Sequence, residues 1–399
     1  MTTIADLLVE SLAEHGVRTV WGVVGDALNP VTDAIRREDR IDWIGVRHEE
    51  VGAFAAGAQA QLTGRLAVCA GTVGPGAIHL LNGLYDAAKS HVPVPYGRTA
   101  RRLEWHLLPP ALRRLVQDRW GTRVVEARSA RAGYTPGLAS VLTGADGRRI
   151  FLEAASRQAQ RPFAEAYSME VRRLRELPAG LPVPRLLWSH EDDSWVVLAL
   201  EHVDGSSPDR PWDRAELDRC LDLLEVLASR LTPPPMQLPS FAEEFAGFPT
   251  GWDHVRRTAP RWPHLEEAGA LASRWEQATA GNTLVHSDVR DDNLVLTADG
   301  RAYLCDWRLP VVGASWIDTV CLLMTAFGDG IDADALLAER ALTRDVPDEH
   351  VDVLLALLCG YFLERRDQRA PRSSPFLRRH QDWCAEVSWA WLERRRGWA

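Results

Sequence analysis

Hydrophobic residues in the first 94 positions alternate between two spacings. Residues 4–15 carry apolar side chains at helical spacing, whereas residues 19–24 form a short β-rich run that ends in the turn signal Gly25-Asp26. The two spacings recur further on, and we expect helices over residues 30–37, 50–62 and 76–90 and strands over residues 41–46 and 66–70. This order of elements is typical of a parallel sheet covered by helices.

The alternation breaks at about residue 95, in the middle of a unit. A further buried strand ought to begin there, but Pro95 and Gly97 follow, and then an arginine-rich amphipathic helix. Beyond that helix, strands are expected over residues 124–128, 139–143, 149–154, 185–189 and 195–201, with a helix over residues 162–177. From Asp213 onward the pattern is helical, apart from a β-rich stretch over residues 283–307. We therefore predict a small β-rich lobe followed by a large helical lobe.

These patterns divide the chain into segments. With 399 residues it is long enough for two or three domains, each with its own core. The predicted segments are an α/β region over residues 1–94, a junction and opening helix over 95–120, the small lobe over 121–205 and the helical lobe over 206–399.

The net charge and the cysteine pattern limit which partners, binding sites and cellular compartments we expect for this chain. The formal net charge is −9, which argues against a nucleic-acid or membrane-surface partner, because phosphate binding needs a basic excess. The six cysteines stand singly, without the spacing of a zinc or dithiol site, and suit a reducing compartment. The first residues do not resemble a secretory signal, and the longest apolar stretch, near residues 353–363, is too short to span a bilayer. We expect a cytoplasmic protein.

The basic residues are almost all arginine. Lys89 is the one lysine among 46 basic residues, so cationic roles beyond it fall to arginine, histidine or a metal. The basic run Arg394-Arg395-Arg396 closes a predicted terminal helix, and we interpret it as a solvated helix end favoured by the helix dipole.

The most informative stretch spans residues 284–296. It places an apolar strand before a polar loop with His286, Asp288 and Asn293, and a second apolar strand after it; Asp306 ends a later strand. Phosphoryl transfer needs a carboxylate to orient the attacking hydroxyl and oxygen ligands for the magnesium that bridges the phosphates. Each residue alone is better explained as a structural hydrogen-bonding partner, but the ordered set favours phosphotransfer.

This stretch resembles the aminoglycoside phosphotransferase and choline-kinase-like family, within the protein-kinase-like fold. The family's catalytic loop, His-x-Asp-x-x-x-x-Asn, fits His286, Asp288 and Asn293 position for position. The resemblance implies that Asp288 is the catalytic base and that Asn293 and Asp306 bind magnesium. It also implies that Asp318 braces the catalytic loop, and that the substrates are ATP and a small-molecule hydroxyl acceptor.

The resemblance extends upstream through less specific matches. Gly133 and Gly137 lie in a loop that, by resemblance, covers the nucleotide phosphates. Glu201 and Val203 belong to a strand and hinge whose backbone would pair with adenine. Glu170 lies on the helix that presents a glutamate to a nucleotide-binding lysine in this family.

Two positions depart from the family pattern. Ser287 stands where the family usually has glycine, and Glu153 stands where it has the phosphate-binding lysine. Glu153 would face Glu170 and a polyanion, and like charges repel. Two hypotheses follow: an active enzyme with a rearranged phosphate contact, or a catalytically impaired nucleotide-binding relative. For the first, the candidate substitute cations are Arg148, Arg149 and Arg157.

The first 94 residues resemble the opening half of the pyrimidine-binding domain of thiamine-diphosphate enzymes, near pyruvate oxidase. The resemblance rests on residues 21–29, 47–50 and 69–76, and implies that Glu49 hydrogen-bonds the aminopyrimidine of thiamine diphosphate. A diphosphate-binding domain has no counterpart, since we interpret Gly328-Asp329-Gly330 as a loop of the helical lobe. We therefore expect this fragment not to bind thiamine diphosphate alone, although a partner chain could complete a thiamine-dependent subunit. Its truncated sheet would leave apolar edges that favour self-association.

The fold class that combines these patterns is α/β and α+β: a partial parallel α/β domain followed by a two-lobed protein-kinase-like domain. The acceptor is not specified by any motif. The helical lobe offers a set of carboxylates that suit a cationic acceptor such as an aminoglycoside, and equally suit solvated helix ends: Asp332, Asp334, Asp345, Asp348 and Asp352.

Overall fold

A computed structural model describes residues 3–63, 66–84, 100, 102–130, 133–371, 373–374 and 376–398. The chain divides into two compact units, Met1–Gly97 and Arg98–Ala399. Each unit contains hydrophobic cores of its own, so each is described separately.

The first unit is a parallel α/β layer. Its elements are α1 (Ile4–Glu14), β1 (Thr19–Gly22), α2 (Asn29–Arg37), β2 (Asp42–Gly45), α3 (Glu49–Thr63), β3 (Val68–Ala70) and α4 (Pro75–His79). The sheet order is β2-β1-β3, and both pairings are parallel, as expected for strands joined through helices. Val9, Ile35 and Val20 of the central strand pack in one core. The predicted parallel α/β arrangement is confirmed, although residues 85–90 of the expected last helix lie outside the described residues.

The small lobe of the second unit is an antiparallel sheet between two helices. Its elements are α5 (Pro110–Trp120), β4 (Val124–Ser129), β5 (Leu138–Gly144), β6 (Arg149–Ser156), α6 (Arg161–Glu176), β7 (Leu186–Glu191) and β8 (Trp195–Glu201). The strand order is β4-β5-β6-β8-β7. Leu152 and Val116 of α5 share one core, whereas Leu198 and Tyr167 of α6 share another, so helices cover both faces of the sheet.

The large lobe is mostly helical, as the sequence predicts. Its elements are β9 (Gly205–Ser206), α7 (Arg214–Arg230), α8 (Phe241–Glu244), α9 (Gly251–Thr258), α10 (Leu265–Ala272), α11 (Trp275–Thr279), β10 (Thr283–Val285), β11 (Leu294–Thr297), β12 (Ala302–Leu304), β13 (Val311–Gly313), α12 (Ile317–Gly328), α13 (Ala333–Glu339), α14 (Asp348–Arg366) and α15 (Leu377–Arg396). Trp252 and Trp391 are among its largest fully buried side chains. Among the described residues, no helix combines the length and apolar character that crossing a bilayer requires.

Short strands position the polar loops of the large lobe. β10 pairs with β13, and β11 pairs with β12 and β9, all antiparallel. The loop over residues 286–293 therefore connects two anchored strands, and Asp306 follows the end of β12. Asp318 lies in the first turn of α12. Strand ends from two small sheets thus bring the predicted catalytic residues into one region.

The Gly328-Asp329-Gly330 segment forms a loop at the end of α12, as we interpreted it. Asp329 accepts a hydrogen bond from Arg210 Nη2 at 2.7 Å and another from the backbone N–H of Trp212 at 2.8 Å. Its carboxylate therefore has a structural role in the large lobe.

The interpretation of the terminal basic run as solvated is wrong for Arg395. Its side chain is 8% exposed and donates to Asp352 at 2.6 Å, to Asp334 at 2.5 Å and to Asp348 at 3.0 Å. The pairs join α13, the start of α14 and the end of α15. Each of these three carboxylates therefore has an arginine partner within the lobe, which weakens them as support for a cationic acceptor.

Candidate active site

The backbone of the catalytic loop is held by Asp318. Its two carboxylate oxygens accept the backbone N–H groups of His286 at 2.7 Å and Ser287 at 2.8 Å. Burial raises the pKa of Asp318, and these hydrogen bonds together with His286 oppose the rise. Asp318 therefore lies where the family resemblance puts the bracing aspartate.

His286 connects the catalytic loop to the segment that carries Asp306. Its Nε2 lies 2.9 Å from the carbonyl oxygen of Cys305, and its Nδ1 accepts the backbone N–H of Asp288 at 3.3 Å. This pattern assigns the proton to Nε2 in the neutral ring. Burial lowers the pKa of His286, which also favours the neutral form. His286 is therefore a structural link between the two loops.

Ser287 has a left-handed backbone, with φ of 62°. Glycine adopts this conformation without strain, which explains why the family pattern has glycine there. In this chain the Ser287 hydroxyl donates to the carbonyl oxygen of Leu309 at 2.5 Å. That hydrogen bond offsets part of the conformational cost of having serine instead of glycine at this position.

Asp288, the predicted catalytic base, lies among charged neighbours. Arg290 Nη1 donates to its Oδ1 at 3.0 Å. The surrounding protein raises the pKa of Asp288 to about 6 through desolvation; Arg290 opposes the rise, and the negative charge of Asp306 adds to it. The charge of Asp306 is therefore close enough to influence the ionisation of Asp288.

Asn293 contacts Asp288 directly and is tied to the segment that carries Asp306. The Asn293 Nδ2 donates to the carbonyl oxygen of Asp288 at 2.9 Å, which orients the amide oxygen Oδ1 away from that contact. The backbone N–H of Cys305 donates to the carbonyl oxygen of Asn293 at 2.8 Å, which fixes the two loops side by side. One amide oxygen and one carboxylate are oxygen donors of the kind that magnesium prefers. The donor set therefore fits a magnesium ion.

The predicted phosphate-covering loop approaches the catalytic loop. Gly133 has φ of 92°, and a Cβ there would lie 3.8 Å from Asp292 Oδ2. A Cβ at Gly137 would lie 2.8 Å from the carbonyl oxygen of Ala154, so only glycine fits that approach. The ring of Tyr134, between the two glycines, lies 5.8 Å from the guanidinium carbon of Arg290.

Glu153 and Glu170 do not face each other alone, because Arg308 lies between them. Arg308 Nη2 donates to Glu153 Oε1 at 2.9 Å, and its Nε lies 3.3 Å from Glu170 Oε2. The Nε also lies 2.7 Å from Asp306 Oδ1, and the Nη1 donates to Thr135 Oγ1 at 2.5 Å. One guanidinium thus binds three carboxylates and the phosphate-covering loop.

The ion cluster is buried. The side chains of Glu153 and Glu170 are 7% and 1% exposed, and that of Arg308 is 15% exposed. Desolvation raises the pKa of Glu153 and raises that of Glu170 well above its ordinary value, while Arg308 opposes both shifts. The guanidinium carbon of Arg308 also lies 4.7 Å from the ring centre of Tyr167, which is a favourable cation–π distance.

Sequence reasoning missed Arg308 and named other arginines as the substitute cation. The structure places those three in other ion pairs: Arg148 with Asp146, Arg149 with Asp204 and Arg157 with Glu191. Two sequence signals could have identified Arg308. The chain has almost no lysine, and Arg308 follows the predicted metal-binding Asp306 by two positions.

The predicted adenine hinge lies at the end of β8. The backbone N–H of Glu201 donates to the carbonyl oxygen of Arg185 at 2.8 Å, and its side chain accepts from Arg185 Nε at 2.7 Å. Val203 lies two residues past the strand and is half-buried. Both residues therefore lie on the connection between the two lobes.

Glu49, the predicted thiamine residue, lies at the start of α3 in the first unit. Its Oε2 is 3.3 Å from Nδ1 of His79, whose ring stacks on that of His48. A Cβ at Gly76 would lie 2.7 Å from Glu49 Oε1, so the glycine loop passes close to the carboxylate. A hydrogen bond from its own backbone N–H and the neighbouring His79 hold the pKa of Glu49 below its ordinary value.

Two family models match the chain. Residues 126–352, more than half of the sequence, match the phosphotransferase enzyme family. Residues 2–96 match the N-terminal TPP binding domain of thiamine pyrophosphate enzymes. Both predicted resemblances are confirmed.

The curated relatives match the first unit of this chain, and the match covers only a small part of each relative's own length. An uncharacterized 42.6 kDa protein in the isoamylase 3′ region of Pseudomonas amyloderamosa is 60% identical over 93 residues, which is 23% of this chain and 24% of that protein. Pyruvate oxidase of Lactiplantibacillus plantarum is 52% identical over 88 residues, which is 22% of this chain and 15% of that enzyme. The chain thus spans about a quarter or less of the length of these relatives.

Solved structures resemble the second unit at low sequence identity. An aminoglycoside phosphotransferase from Alicyclobacillus acidocaldarius has a TM-score of 0.45 and 17% identity, covering 69% of this chain and 92% of its own. The choline kinase LicA from Streptococcus pneumoniae has a TM-score of 0.48 and 12% identity, covering 70% of this chain and 99% of its own.

Proposed function

Because the chain belongs to the phosphotransferase enzyme family, we propose that it transfers a phosphoryl group from ATP, with magnesium, to a hydroxyl group of a small molecule. The observation that carries the proposal is the meeting of Asp288, Asn293 and Asp306 at adjoining loop ends, supported by His286 and Asp318. A structural hydrogen-bonding role explains each residue alone, but it does not explain why three oxygen donors lie together at adjoining loop ends.

Asp288 acts as the base. It accepts the proton of the acceptor hydroxyl as the acceptor oxygen bonds to the γ-phosphorus of ATP and the bond from that phosphorus to the bridging oxygen breaks, which releases ADP. With a pKa of about 6, the carboxylate is mostly ionised at neutral pH, yet basic enough to take a proton. Arg290, 3.0 Å from Oδ1, and the Asn293 amide fix the orientation of the carboxylate.

Asn293 Oδ1 and the Asp306 carboxylate would hold magnesium. A magnesium ion held there would neutralise the charge that develops on the phosphates during transfer. The two ligands are fixed relative to each other, because Cys305, directly before Asp306, donates its backbone N–H to the carbonyl oxygen of Asn293. The chain's own contribution is therefore a preformed pair of oxygen donors beside the base.

Calorimetric titration of the purified chain with ATP, with and without magnesium, tests the proposal. We expect binding that depends on magnesium and is lost in Asp306→Asn, followed by turnover with at least one compound of a hydroxylated panel. Asp306 has φ of 66°, a conformation that asparagine tolerates well, so the substitution removes the charge without straining the backbone. If the folded wild-type chain takes up no ATP with magnesium, the proposal is wrong.

A second candidate is a catalytically impaired nucleotide-binding relative. It is favoured by the contact between Arg308 Nε and Asp306 Oδ1 at 2.7 Å, since this guanidinium competes with a metal for the carboxylate. The second candidate predicts ATP binding that is independent of magnesium, and no turnover with any acceptor of the panel. The same titration and panel therefore separate the two candidates.

A further inference from the structure

We propose that Arg308 supplies, at the nucleotide phosphates, the positive charge that a lysine at position 153 supplies in the family pattern. This inference rests on the proposed phosphotransferase function, because it assigns a phosphate contact within the same site. Glu153 is then a positioning residue, which holds the guanidinium where it meets the nucleotide.

The position of the Arg308 guanidinium supports this assignment. In the family pattern a lysine on strand β6 faces the glutamate on helix α6. In this chain the guanidinium lies between Glu153 of β6 and Glu170 of α6, at 2.9 and 3.3 Å from their carboxylate oxygens. A cation from a different element therefore occupies the meeting point of the same strand and helix.

The guanidinium also reaches the two segments that would border the phosphates. Its Nε lies 2.7 Å from Asp306, the proposed magnesium ligand, and its Nη1 donates at 2.5 Å to Thr135 in the loop between Gly133 and Gly137. Nε and Nη2 contact carboxylates, whereas Nη1 contacts a neutral hydroxyl. The Nη1 group can therefore exchange Thr135 for a phosphate oxygen while the ion pairs remain in place.

The charges around Arg308 explain why a cation is needed there. Glu153, Glu170 and Asp306 all lie within ion-pair distance of its guanidinium. A polyphosphate that met only these carboxylates would be repelled, because like charges in a partly dehydrated site are weakly screened. Arg308 reduces this repulsion and offers a direct contact, because its fork of N–H donors suits phosphate oxygens.

Arg102 is a competing cation at the phosphate-covering loop. A Cβ at Gly133 would lie 2.7 Å from Nη2 of Arg102, so this guanidinium also approaches the loop. Arg308 makes the stronger case, because it contacts Glu153, Glu170 and Asp306 directly. The experiment therefore includes an Arg102 variant as the competing assignment.

The test measures binding of ATP and of adenosine, both with magnesium, to the full chain and its Arg308→Gln variant. Loss of a charge-assisted contact to phosphate should raise the Kd for ATP on the order of ten- to hundredfold. The Kd for adenosine should change little, because adenosine has no phosphate. Arg157→Gln is the control: it removes an arginine of the small lobe that pairs with Glu191, and should leave both affinities unchanged.

A second variant guards against misfolding. Arg308→Gln leaves the buried carboxylate of Glu153 without its cation, so it is also combined with Glu153→Lys, which returns a cation to β6 opposite Glu170. We expect this double variant to recover most of the ATP affinity. Recovery by a cation from a different backbone position separates a charge requirement from a local packing role.

Three results would overturn the inference. The first is unchanged or tighter ATP binding by Arg308→Gln protein that melts normally. The second is selective loss of ATP binding in Arg102→Gln instead. The third is a folded double variant that does not regain ATP affinity. Absence of ATP binding by the folded wild-type chain is a separate result, since it overturns the proposed function and, with it, this inference.

Discussion

The two units of this chain both carry a family's signature carboxylate, but they surround it differently. Asp288 lies in a loop whose backbone Asp318 holds and which His286 links to the carbonyl oxygen of Cys305. Glu49 is supported by His79 and, through ring stacking, by His48, whose side chains are 44% and 47% exposed. Asp288 therefore belongs to a site whose loops are hydrogen-bonded to one another, whereas the histidines beside Glu49 are about half exposed.

The two units also differ in how much hydrophobic surface they expose, and the first unit is again the more exposed one. Among the described residues, eleven of the seventeen exposed large hydrophobic side chains belong to the first unit, which is the smaller one. Ile4 and Leu62, for example, are 87% and 88% exposed. Large exposed apolar surface is typical of regions that contact other protein, and the relatives of this unit extend well beyond the matched segment. We therefore expect Asp288 to act within this chain, and Glu49 not to bind thiamine diphosphate in this chain alone.

The largest expected effect is on catalysis at the Asp288 site. Asp288→Asn should lower turnover by about 10²- to 10⁴-fold, because the amide cannot accept the proton of the acceptor hydroxyl. The Kd for ATP should change little, since Asp288 is not a proposed ligand of the nucleotide. Steady-state kinetics with the best acceptor of the panel, beside calorimetry, give both values. Equal turnover in the variant and the wild-type chain would remove Asp288 as the base.

A smaller effect, on stability, is expected from the residue that braces the loop. Asp318→Ala should lower the free energy of unfolding by about 2–4 kcal/mol, because two buried backbone N–H groups lose their acceptor. Urea denaturation measures the change. Asp345→Ala is the control: its side chain is 89% exposed, and we expect a change within about 0.5 kcal/mol. Similar losses in both variants would contradict the bracing role.

A still smaller effect is expected at Ser287, where two contributions nearly cancel. Ser287→Gly relieves a left-handed conformation and loses the hydrogen bond to Leu309, each worth about 1 kcal/mol, so stability should change by less than about 0.5 kcal/mol. Ser287→Ala loses the hydrogen bond without relief and should cost about 1 kcal/mol. Urea denaturation of the pair tests this order, and an alanine variant more stable than the glycine variant would contradict it.

The smallest effect is expected in the first unit. Glu49→Gln should leave ATP binding and turnover unchanged, and neither this variant nor the wild-type chain should take up thiamine diphosphate with magnesium when tested alone. Calorimetry and the change in tryptophan fluorescence measure the uptake. If the wild-type chain bound thiamine diphosphate and Glu49→Gln did not, the partial domain would be sufficient for cofactor binding. The proposed functional contrast between the two units would then be wrong.

The order of elements could be predicted from the sequence because the hydrophobic pattern changes sharply from one element to the next. The strand predicted over residues 195–201 is observed as Trp195–Glu201, and most other elements agree to within a few residues. The residues of the catalytic loop could be predicted as a set because they are close in sequence and ordered. Their roles in catalysis and metal binding stay predictions.

What the sequence did not reveal are contacts between distant segments. Arg308 meets Glu153 across 155 positions, and no local pattern identifies that pair. Arg395 was predicted to be solvated because its helix ends the chain, but its side chain is buried and pairs with carboxylates of α13 and α14. In both cases the partner of a charge is determined by tertiary packing, which hydrophobic periodicity does not describe.

The pairing of Glu153 with Arg308 also constrains how this lineage can change by single substitutions. Gaining a lysine at position 153 first would leave two cations near Glu170 and Asp306, a balanced set. Losing Arg308 first would leave three carboxylates without their cation. The two substitutions are therefore not interchangeable in order, because the state with both cations is balanced and the state with neither is not. The state with both cations is thus the mutational bridge through which an exchange of the cation between positions 153 and 308 passes in either direction.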